Sequence, residues 1–242
     1  MTRGACGVCE PGPGNAVPSN RPRRAMIIAL EGLPGAGKTT TARLLAEKLG
    51  YAALTESTQD HPFLEAVYRD GDRHDLEIEL AFLLLHASAW RAIEPGAHTV
   101  SDFTPMKDLV FARDTLTDPD DLALFEGAYE RLNRDSRPAD VVLYLDATAE
   151  LALSRVRQRY EKDPNRRFEE AMESERLRAI ERGYEVHHAE LGARVVDLDL
   201  AAILKPGEPE AASKDRVAQH ALALIGEGAP RLTTDGRFSR LS

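Results

Sequence analysis

The sequence has few cysteines, few aromatic residues and no long apolar segment. Only 2 of its 242 residues are cysteine, and 6% are aromatic. Lys and Arg number 31 against 40 Asp and Glu, so the net charge is -9 and the surface lacks the basic footprint that nucleic acids and anionic membranes require. No apolar run is long enough for a membrane span or a secretory signal core. We therefore expect a cytoplasmic protein that binds neither nucleic acid nor membranes.

Both cysteines lie within the first 24 residues. This segment is rich in Gly, Pro, Asn and Arg without periodicity, so we expect residues 1–24 to be disordered. Cys6 and Cys9 have the spacing of half a zinc site or of a redox pair, but no second pair follows them. Two reduced thiols in a disordered tail are the simpler interpretation.

The remaining sequence suits a single α/β domain, because 43% hydrophobic and 29% charged residues allow a full core. We place this domain at residues 25–226 and expect a flexible tail at 227–242. Strands predicted at 27–30, 51–56, 99–102, 140–146 and 194–198 alternate with helices predicted at 40–49, 76–93, 110–115, 121–133, 148–160, 168–191 and 217–225. This alternation predicts a doubly wound parallel sheet of five strands with flanking helices.

The stretch MIIALEGLPGAGKTTT joins the first predicted strand to the first helix through a glycine-rich loop. Residues 32–39 fit the pattern G-x-x-x-x-G-K-[ST] of the P-loop NTPases, and the alternative is a chance glycine-rich turn. Backbone N–H groups of such a loop surround the phosphates of ATP, while Lys38 would reach the β and γ phosphates and Thr39 would hold Mg²⁺. The predicted phosphate-binding residues are Gly32, Leu33, Pro34, Gly35, Ala36, Gly37, Lys38, Thr39 and Thr40.

Two carboxylates follow predicted strands at the edge where open parallel sheets bind ligands. Glu56 is either a general base for a hydroxyl that attacks the γ-phosphate or a solvated acid. Asp102 is either a carboxylate of the Mg²⁺ site opposite Thr39 or a cap of the next helix. Glu79 and His86 lie seven residues apart on one helix and project from nearly the same face, although both residue types are more often found on the surface.

Residues 155–167, RVRQRYEKDPNRR, contain six Lys or Arg against two acids in a chain that is acidic overall. Arginine forks suit phosphate oxygens, so this segment fits an Arg-rich lid at about 155–169 that closes over the transferring phosphoryl group. A solvated helix end is the alternative.

From about Ile27 to Leu198 the chain resembles the deoxynucleoside kinases, and in particular their bacterial branch for deoxyadenosine and deoxyguanosine. The matching features are, in chain order, the loop EGLPGAGKTT, Glu56, the block 61–65 with Tyr68, the helix around Phe82, the run 101–112, the Arg-rich lid and residues 168–169.

The resemblance implies Mg²⁺- and ATP-dependent phosphoryl transfer to the 5′-hydroxyl of a deoxynucleoside. It makes Glu56 the general base, and it places Tyr68 and Glu169 on the sugar 3′-hydroxyl. Arg159 and Arg167 would stabilise charge on the transferring group together with Lys38. The acceptor site implied in this way consists of Glu56, Tyr68, Glu79, Phe82, His86, Asp102 and Glu169. A homodimer is implied by the family alone.

Three acceptor-side features depart from the family's pattern. Glu79 stands where a Gln usually reads the base, and an ionised Glu only accepts hydrogen bonds, so we hypothesise a preference for guanine, a purine with two adjacent donors. His86 stands where an Arg is frequent in the bacterial branch. Ser101-Asp102 stands where an acid-arginine pair is common, so one Arg is missing unless a lid or helix residue replaces it.

Two other functions remain open from the sequence. One is a kinase of the same fold that acts on a nucleoside monophosphate or another metabolite, but residues 51–67 contain none of the Lys or Arg that a monophosphate would need near Glu56. The other is a nucleotide-dependent sensor derived from a degenerate kinase. The absence of Asn-Lys-x-Asp and Asp-x-x-Gly motifs disfavours a sensor of the GTPase kind.

Overall fold

The computed structural model describes residues 25–56, 61, 63, 74–163, 172–188, 194–205, 207–226, 231–232 and 238–239. The strands are β1 (Ile27–Gly32), β2 (Ala52–Leu54), β3 (Thr99–Ser101), β4 (Val141–Asp146), β5 (Arg194–Asp199), β6 (Arg231–Leu232) and β7 (Phe238–Ser239). The helices are α1 (Lys38–Leu49), α2 (Asp75–Arg91), α3 (Met106–Thr115), α4 (Pro119–Asn133), α5 (Ala149–Lys162), α6 (Ser174–His187), α7 (Leu200–Ile203) and α8 (Glu210–Ile225). The predicted N-terminal extension with Cys6 and Cys9 lies outside the described residues, as do Tyr68, Arg167 and Glu169.

Strands β1 to β5 form one parallel sheet in the order β2-β3-β1-β4-β5. Its central strand is β1, in which Ala29 pairs with Ser101 of β3 and with Val142 of β4. All six residues of β1 are buried, as expected for a strand that is covered on both faces. Connections run to both sides of β1, which confirms the predicted doubly wound sheet of five parallel strands.

Alternate residues of β1 point to opposite faces of the sheet and into separate parts of the core. Ile28 and Leu30 belong to the larger cluster, which includes residues of α1, α5, α6 and α8. Ile27 and Ala29 pack on the other face with Trp90 of α2. Because both faces of β1 are packed, the loop that follows this strand begins from a rigid position.

Several boundaries differ from those that the sequence predicts. Helix α3 begins at Met106 rather than at Val110, α8 begins at Glu210 rather than at Val217, and the short helix α7 is not predicted at all. In the predicted flexible tail, β6 and β7 pair antiparallel. Within the described ranges, no helix is both long and apolar enough to cross a membrane.

Candidate active site

At two positions in and next to the loop after β1, the backbone adopts a conformation that only glycine permits. Gly32 and Gly35 have φ angles of 136° and 86°. A Cβ on Gly32 would lie 2.7 Å from the carbonyl oxygen of Leu145, and one on Gly35 would lie 2.4 Å from that of Ala152. The loop therefore passes directly over the end of β4 and over α5, and it leads into the N-terminus of α1, where backbone N–H groups favour a phosphate.

The side chain of Lys38 folds back over this loop. Its Nζ donates to the carbonyl oxygens of Gly32 and Leu33 at 2.7 and 3.0 Å. Burial, together with the neighbouring Lys107 ammonium, lowers the pKa of Lys38 to about 8. A phosphate bound by the loop would meet this ammonium, as the sequence predicts for Lys38.

Thr39 and Asp102 meet although they are far apart in the sequence, because β3 lies beside β1. The hydroxyl of Thr39 donates to Oδ2 of Asp102 at 2.5 Å, and Oδ1 of Asp102 accepts the backbone N–H of Glu56 at 2.8 Å. Hydroxyl and carboxylate oxygens are suitable Mg²⁺ ligands. No group of three or more His, Cys, Asp or Glu in the described part of the chain could hold a metal, but Mg²⁺ commonly uses one or two protein oxygens with phosphates and water. The pair therefore fits this ion.

Glu31, which sequence reasoning misses, lies just before the loop and is fully buried. Its Oε1 accepts the backbone N–H of Thr104 at 2.7 Å and the hydroxyl of Thr104 at 2.5 Å. Burial raises the pKa of Glu31, although these hydrogen bonds favour the carboxylate. The contact fixes the segment after β3, which carries Asp102, against the start of the phosphate loop.

The carboxylate of Glu56 lies between two cationic side chains. Its Oε2 is 2.6 Å from Nζ of Lys107, and its Oε1 is 3.5 Å from Nε2 of His86. Burial acts to raise the pKa of Glu56, but Lys107 and His86 together hold it well below its usual range. Glu56 is therefore ionised at neutral pH rather than being a solvated strand-end acid.

His86 connects the cluster of Glu56 and Lys107 to a fourth residue, Asp108. Its Nδ1 donates to Oδ1 of Asp108 at 2.6 Å, and only 3% of the residue is exposed. Burial acts to lower the pKa of His86, but Asp108 and Glu56 outweigh it and raise the pKa to about 9. Carboxyl groups and basic side chains therefore alternate from Asp108 through His86 and Glu56 to Lys107.

Sequence reasoning places Glu56 and His86 in the acceptor site but misses Lys107 and Asp108. Both missed residues lie within the run 101–112 that carries the family resemblance. The predicted helix begins at Val110, which leaves them in a loop, whereas the first turn of α3 directs them towards α2. An N-terminal signal at Thr104-Pro105 would have identified this helix start.

Aromatic rings border the same cluster. The ring of Phe82 lies 4.0 Å from that of His61 and 5.6 Å from that of His86, measured between centroids. Nζ of Lys107 lies 5.8 Å from the centroid of Phe82. Phe82 is half-buried and offers a flat apolar surface on which a planar ligand could stack.

Glu79 lies on the same helix as Phe82 and is 6% exposed. Glu79 and His86 are thus both buried, which is unusual for these residue types. Burial raises the pKa of Glu79 to about 7, while a hydrogen bond with Thr115 opposes the shift. The Thr115 hydroxyl also accepts from Nη2 of Arg176 at 3.0 Å. Glu79 is therefore populated in both protonation states near neutral pH.

The predicted Arg-rich lid begins in α5, next to the phosphate loop. Nη1 of Arg155 donates to the carbonyl oxygen of Ala36 at 3.2 Å. Arg159 lies one helical turn further along and is half-buried. Helix α5 continues to Lys162, and residues 164–171 lie outside the described ranges, so closure of a lid stays a prediction.

Comparison with known proteins identifies the family. Residues 28–213 match the family described as deoxynucleoside kinase. The chain belongs to the deoxynucleoside kinase family. It is similar to a deoxyguanosine kinase of Bacillus subtilis, with 28% identity over 211 residues that cover 83% of this chain and 98% of the relative. It is also similar to a deoxyadenosine/deoxycytidine kinase of that species, with 29% identity over 143 residues that cover 55% and 65% of the two chains.

The fold resembles that of a deoxyadenosine kinase from M. mycoides solved with bound dATP. The TM-score is 0.67 at 21% identity, and the match covers 83% of this chain and all 100% of the other. The resemblance inferred from the sequence is thereby confirmed, and this member of the deoxynucleoside kinase family is a phosphotransferase. Nucleoside phosphorylation is favoured over a monophosphate or metabolite acceptor and over a sensor role.

Proposed function

We propose that this kinase transfers the γ-phosphoryl group of Mg·ATP to the 5′-hydroxyl of a purine deoxynucleoside, with deoxyguanosine preferred. The position of Asp102 is the observation that carries the proposal. Its two carboxylate oxygens accept from the Thr39 hydroxyl and from the backbone N–H of Glu56. The donor-binding loop and the group that would activate the acceptor are therefore held by one buried residue, at a fixed separation.

On the donor side, the loop N–H groups and Lys38 bind the β and γ phosphates. Thr39 and Asp102 hold Mg²⁺, which neutralises charge on the phosphate oxygens when it is bound. Arg155, already in contact with the loop, and Arg159 lie on α5, from which a lid carrying Arg167 would close. This side contributes cations and positioning, which are most of what phosphoryl transfer requires of a protein.

On the acceptor side, the ionised Glu56 accepts a hydrogen bond from the 5′-hydroxyl and takes its proton as the oxygen attacks the γ-phosphorus. Phe82 packs against the base or sugar. Tyr68 and Glu169 hold the 3′-hydroxyl, a role that rests on the family resemblance. Pairing of two copies through the helices that flank the acceptor site rests on the same resemblance.

Glu79 determines the base preference. When ionised, its carboxylate can accept two hydrogen bonds side by side, which suits the N1–H and amino group of guanine. The similarity to a deoxyguanosine kinase supports the guanine preference itself. Adenine and cytosine each present one donor beside one acceptor on the corresponding edge. The ionised carboxylate of Glu79 can accept from the donor but cannot donate to the acceptor.

A coupled ADP-release assay tests the proposal. Mg·ATP is supplied with each of the four deoxynucleosides, the ribonucleosides and the matching monophosphates in turn. We expect turnover to depend on a deoxynucleoside and to be fastest with deoxyguanosine. ADP release that is independent of any nucleoside would contradict kinase activity of this kind, and deoxycytidine turnover equal to or better than that of deoxyguanosine would contradict the guanine preference.

A further inference from the structure

Lys107 is a buried cation for which the roles described above give no explanation. Only 11% of its side chain is exposed, and its Nζ lies 2.6 Å from Oε2 of Glu56. The ammonium also lies 5.8 and 5.6 Å from the ring centroids of Phe82 and Phe111. Lysine is rarely buried unless it is paired, so this position requires a compensating anion.

The ion pair keeps Lys107 charged. Burial acts to lower the pKa of Lys107, but Glu56 and Asp108 outweigh it and raise the pKa above its ordinary value. A charged ammonium at this depth therefore persists at neutral pH.

Lys107 also faces the donor side of the site. Asp102 accepts the backbone N–H of Glu56 at 2.8 Å and the hydroxyl of Thr39, the residue after Lys38, at 2.5 Å, so the Glu56–Lys107 pair lies beside the start of α1. The Lys38 and Lys107 ammonium groups repel each other across this site. Two buried like charges destabilise each other, and a polyanion that contacts both removes this repulsion. A triphosphate bound by the loop that contains Lys38 brings such an anion to the site.

The geometry of Glu56 brings the Lys107 ammonium close to the reacting atoms. An ionised carboxylate has about four positions at which it accepts hydrogen bonds, so Glu56 can hold Lys107 and an acceptor hydroxyl at the same time. A hydroxyl that donates to Glu56 has its oxygen about 2.7 Å from the carboxylate oxygen. The hydroxyl oxygen therefore lies at most about 7 Å from Nζ of Lys107, and it lies much closer when the hydroxyl and the ammonium donate to the same oxygen, Oε2. The flexible lysine stem can cover the remaining distance.

We propose that Lys107 is a catalytic residue whose ammonium contacts the transferring phosphoryl group beside the attacking oxygen. The inference rests on the proposed function. The bond between the 5′-oxygen and the γ-phosphorus forms while the bond from that phosphorus to the β–γ bridging oxygen breaks, ADP leaves, and the 5′-hydroxyl proton passes to Glu56. Lys107 stabilises negative charge on the γ-phosphoryl oxygens during this exchange.

Four variants test the role. Lys107→Met and Lys107→Ala remove the ammonium, and Lys107→Arg keeps a charge. Lys48→Met is the matched control, because Lys48 lies in the last turn of α1, at the end away from the phosphate loop, and forms an ion pair with Asp215 of α8 at 2.7 Å. Thermal unfolding and ATP binding are measured for each variant, so that kinetic effects are assigned only to folded protein.

We expect Lys107→Met to lower kcat about 10²- to 10³-fold while KM for the deoxynucleoside changes less than about threefold, as for other groups that stabilise transition-state charge. Lys107→Arg should recover part of the loss, and Lys48→Met should match the wild type. Added ethylammonium should restore turnover to Lys107→Ala but not to Lys107→Met, whose side chain fills the space.

A kcat within about threefold of the wild type in Lys107→Met, a loss confined to KM, or a loss in Lys107→Ala that ethylammonium does not restore would each overturn the proposal. Failure of the proposed function looks different, because the wild type would then show no deoxynucleoside-dependent ADP release. Wild-type turnover with unaffected Lys107 variants would remove only the role of Lys107.

Discussion

Because the carboxyl of Glu79 is buried, we predict that the preference of the enzyme for the base of its nucleoside changes with pH. Its pKa is raised to about 7 by burial, and the charged groups that act on it are Asp108, Arg176 and Lys107. Below this pKa the protonated side chain offers one donor and one acceptor, which suits the amino group and ring nitrogen of adenine. Above it the ionised side chain offers two acceptors, which suits guanine.

The size of the effect follows from the fraction of ionised Glu79. With a pKa of about 7, about one tenth of the side chains are ionised at about pH 6 and about nine tenths at about pH 8. The guanine-competent form increases about tenfold across this interval, while the adenine-competent form decreases about tenfold. The ratio of kcat/KM for deoxyguanosine to that for deoxyadenosine should therefore rise with pH by up to about 100-fold.

The assay measures both kcat/KM values at intervals between about pH 6 and about pH 8, so that titrations affecting chemistry with both substrates cancel in the ratio. Glu79→Gln is the matched control, since an amide has the shape of the carboxyl but does not titrate. We expect this variant to favour deoxyadenosine with a ratio independent of pH. A flat wild-type ratio, or the same slope in both proteins, would refute the reasoning.

Three further predictions concern the phosphate loop and the stability of the fold. Lys38→Ala should abolish transfer in the ADP-release assay by removing a cation from the β and γ phosphates, and near-normal turnover would exclude this role. Gly35→Ala should weaken ATP binding and lower the free energy of unfolding by about 1–3 kcal/mol, measured by denaturant titration, because the new Cβ would meet the carbonyl oxygen of Ala152 in a left-handed backbone. Since burial raises the pKa of Glu79 from 4.5 to about 7, the folded state retains a proton that the unfolded state has lost. The stability of the wild type should therefore fall by about 3 kcal/mol relative to Glu79→Gln as pH rises from about 4.5 to about 7, and a constant difference would contradict the shift.

The sheet and the donor side of the site are predictable because their signals are local. The phosphate loop is a continuous motif, and carboxyl ends of parallel strands meet at one edge, which is why Thr39 and Asp102 are found in contact. The sequence also predicts that Glu79 and His86 share a helix face, since helical spacing determines this.

The charge chain at the acceptor side is less predictable because it depends on tertiary contacts. Lys107 and Glu56 are 51 residues apart, and nothing in the sequence pairs them. The burial of Glu79 and His86 contradicts the usual exposure of these residue types and depends on partners in α3, such as Asp108. Compared with the family's usual pattern, the sequence lacks one arginine unless a lid or helix residue replaces it, and Lys107 lies on the helix α3.

The most direct test of the account concerns Glu56, which should act as the base for a 5′-hydroxyl beside an intact phosphate loop. Wild type and Glu56→Gln are each incubated with Mg·ATP and deoxyguanosine, and ADP and the nucleotide product are quantified by chromatography. We predict one deoxynucleoside 5′-monophosphate for each ADP, and a kcat about 10²- to 10⁴-fold lower in Glu56→Gln with ATP binding unchanged. Near-normal turnover by Glu56→Gln, or ADP formed without the 5′-monophosphate, would contradict it.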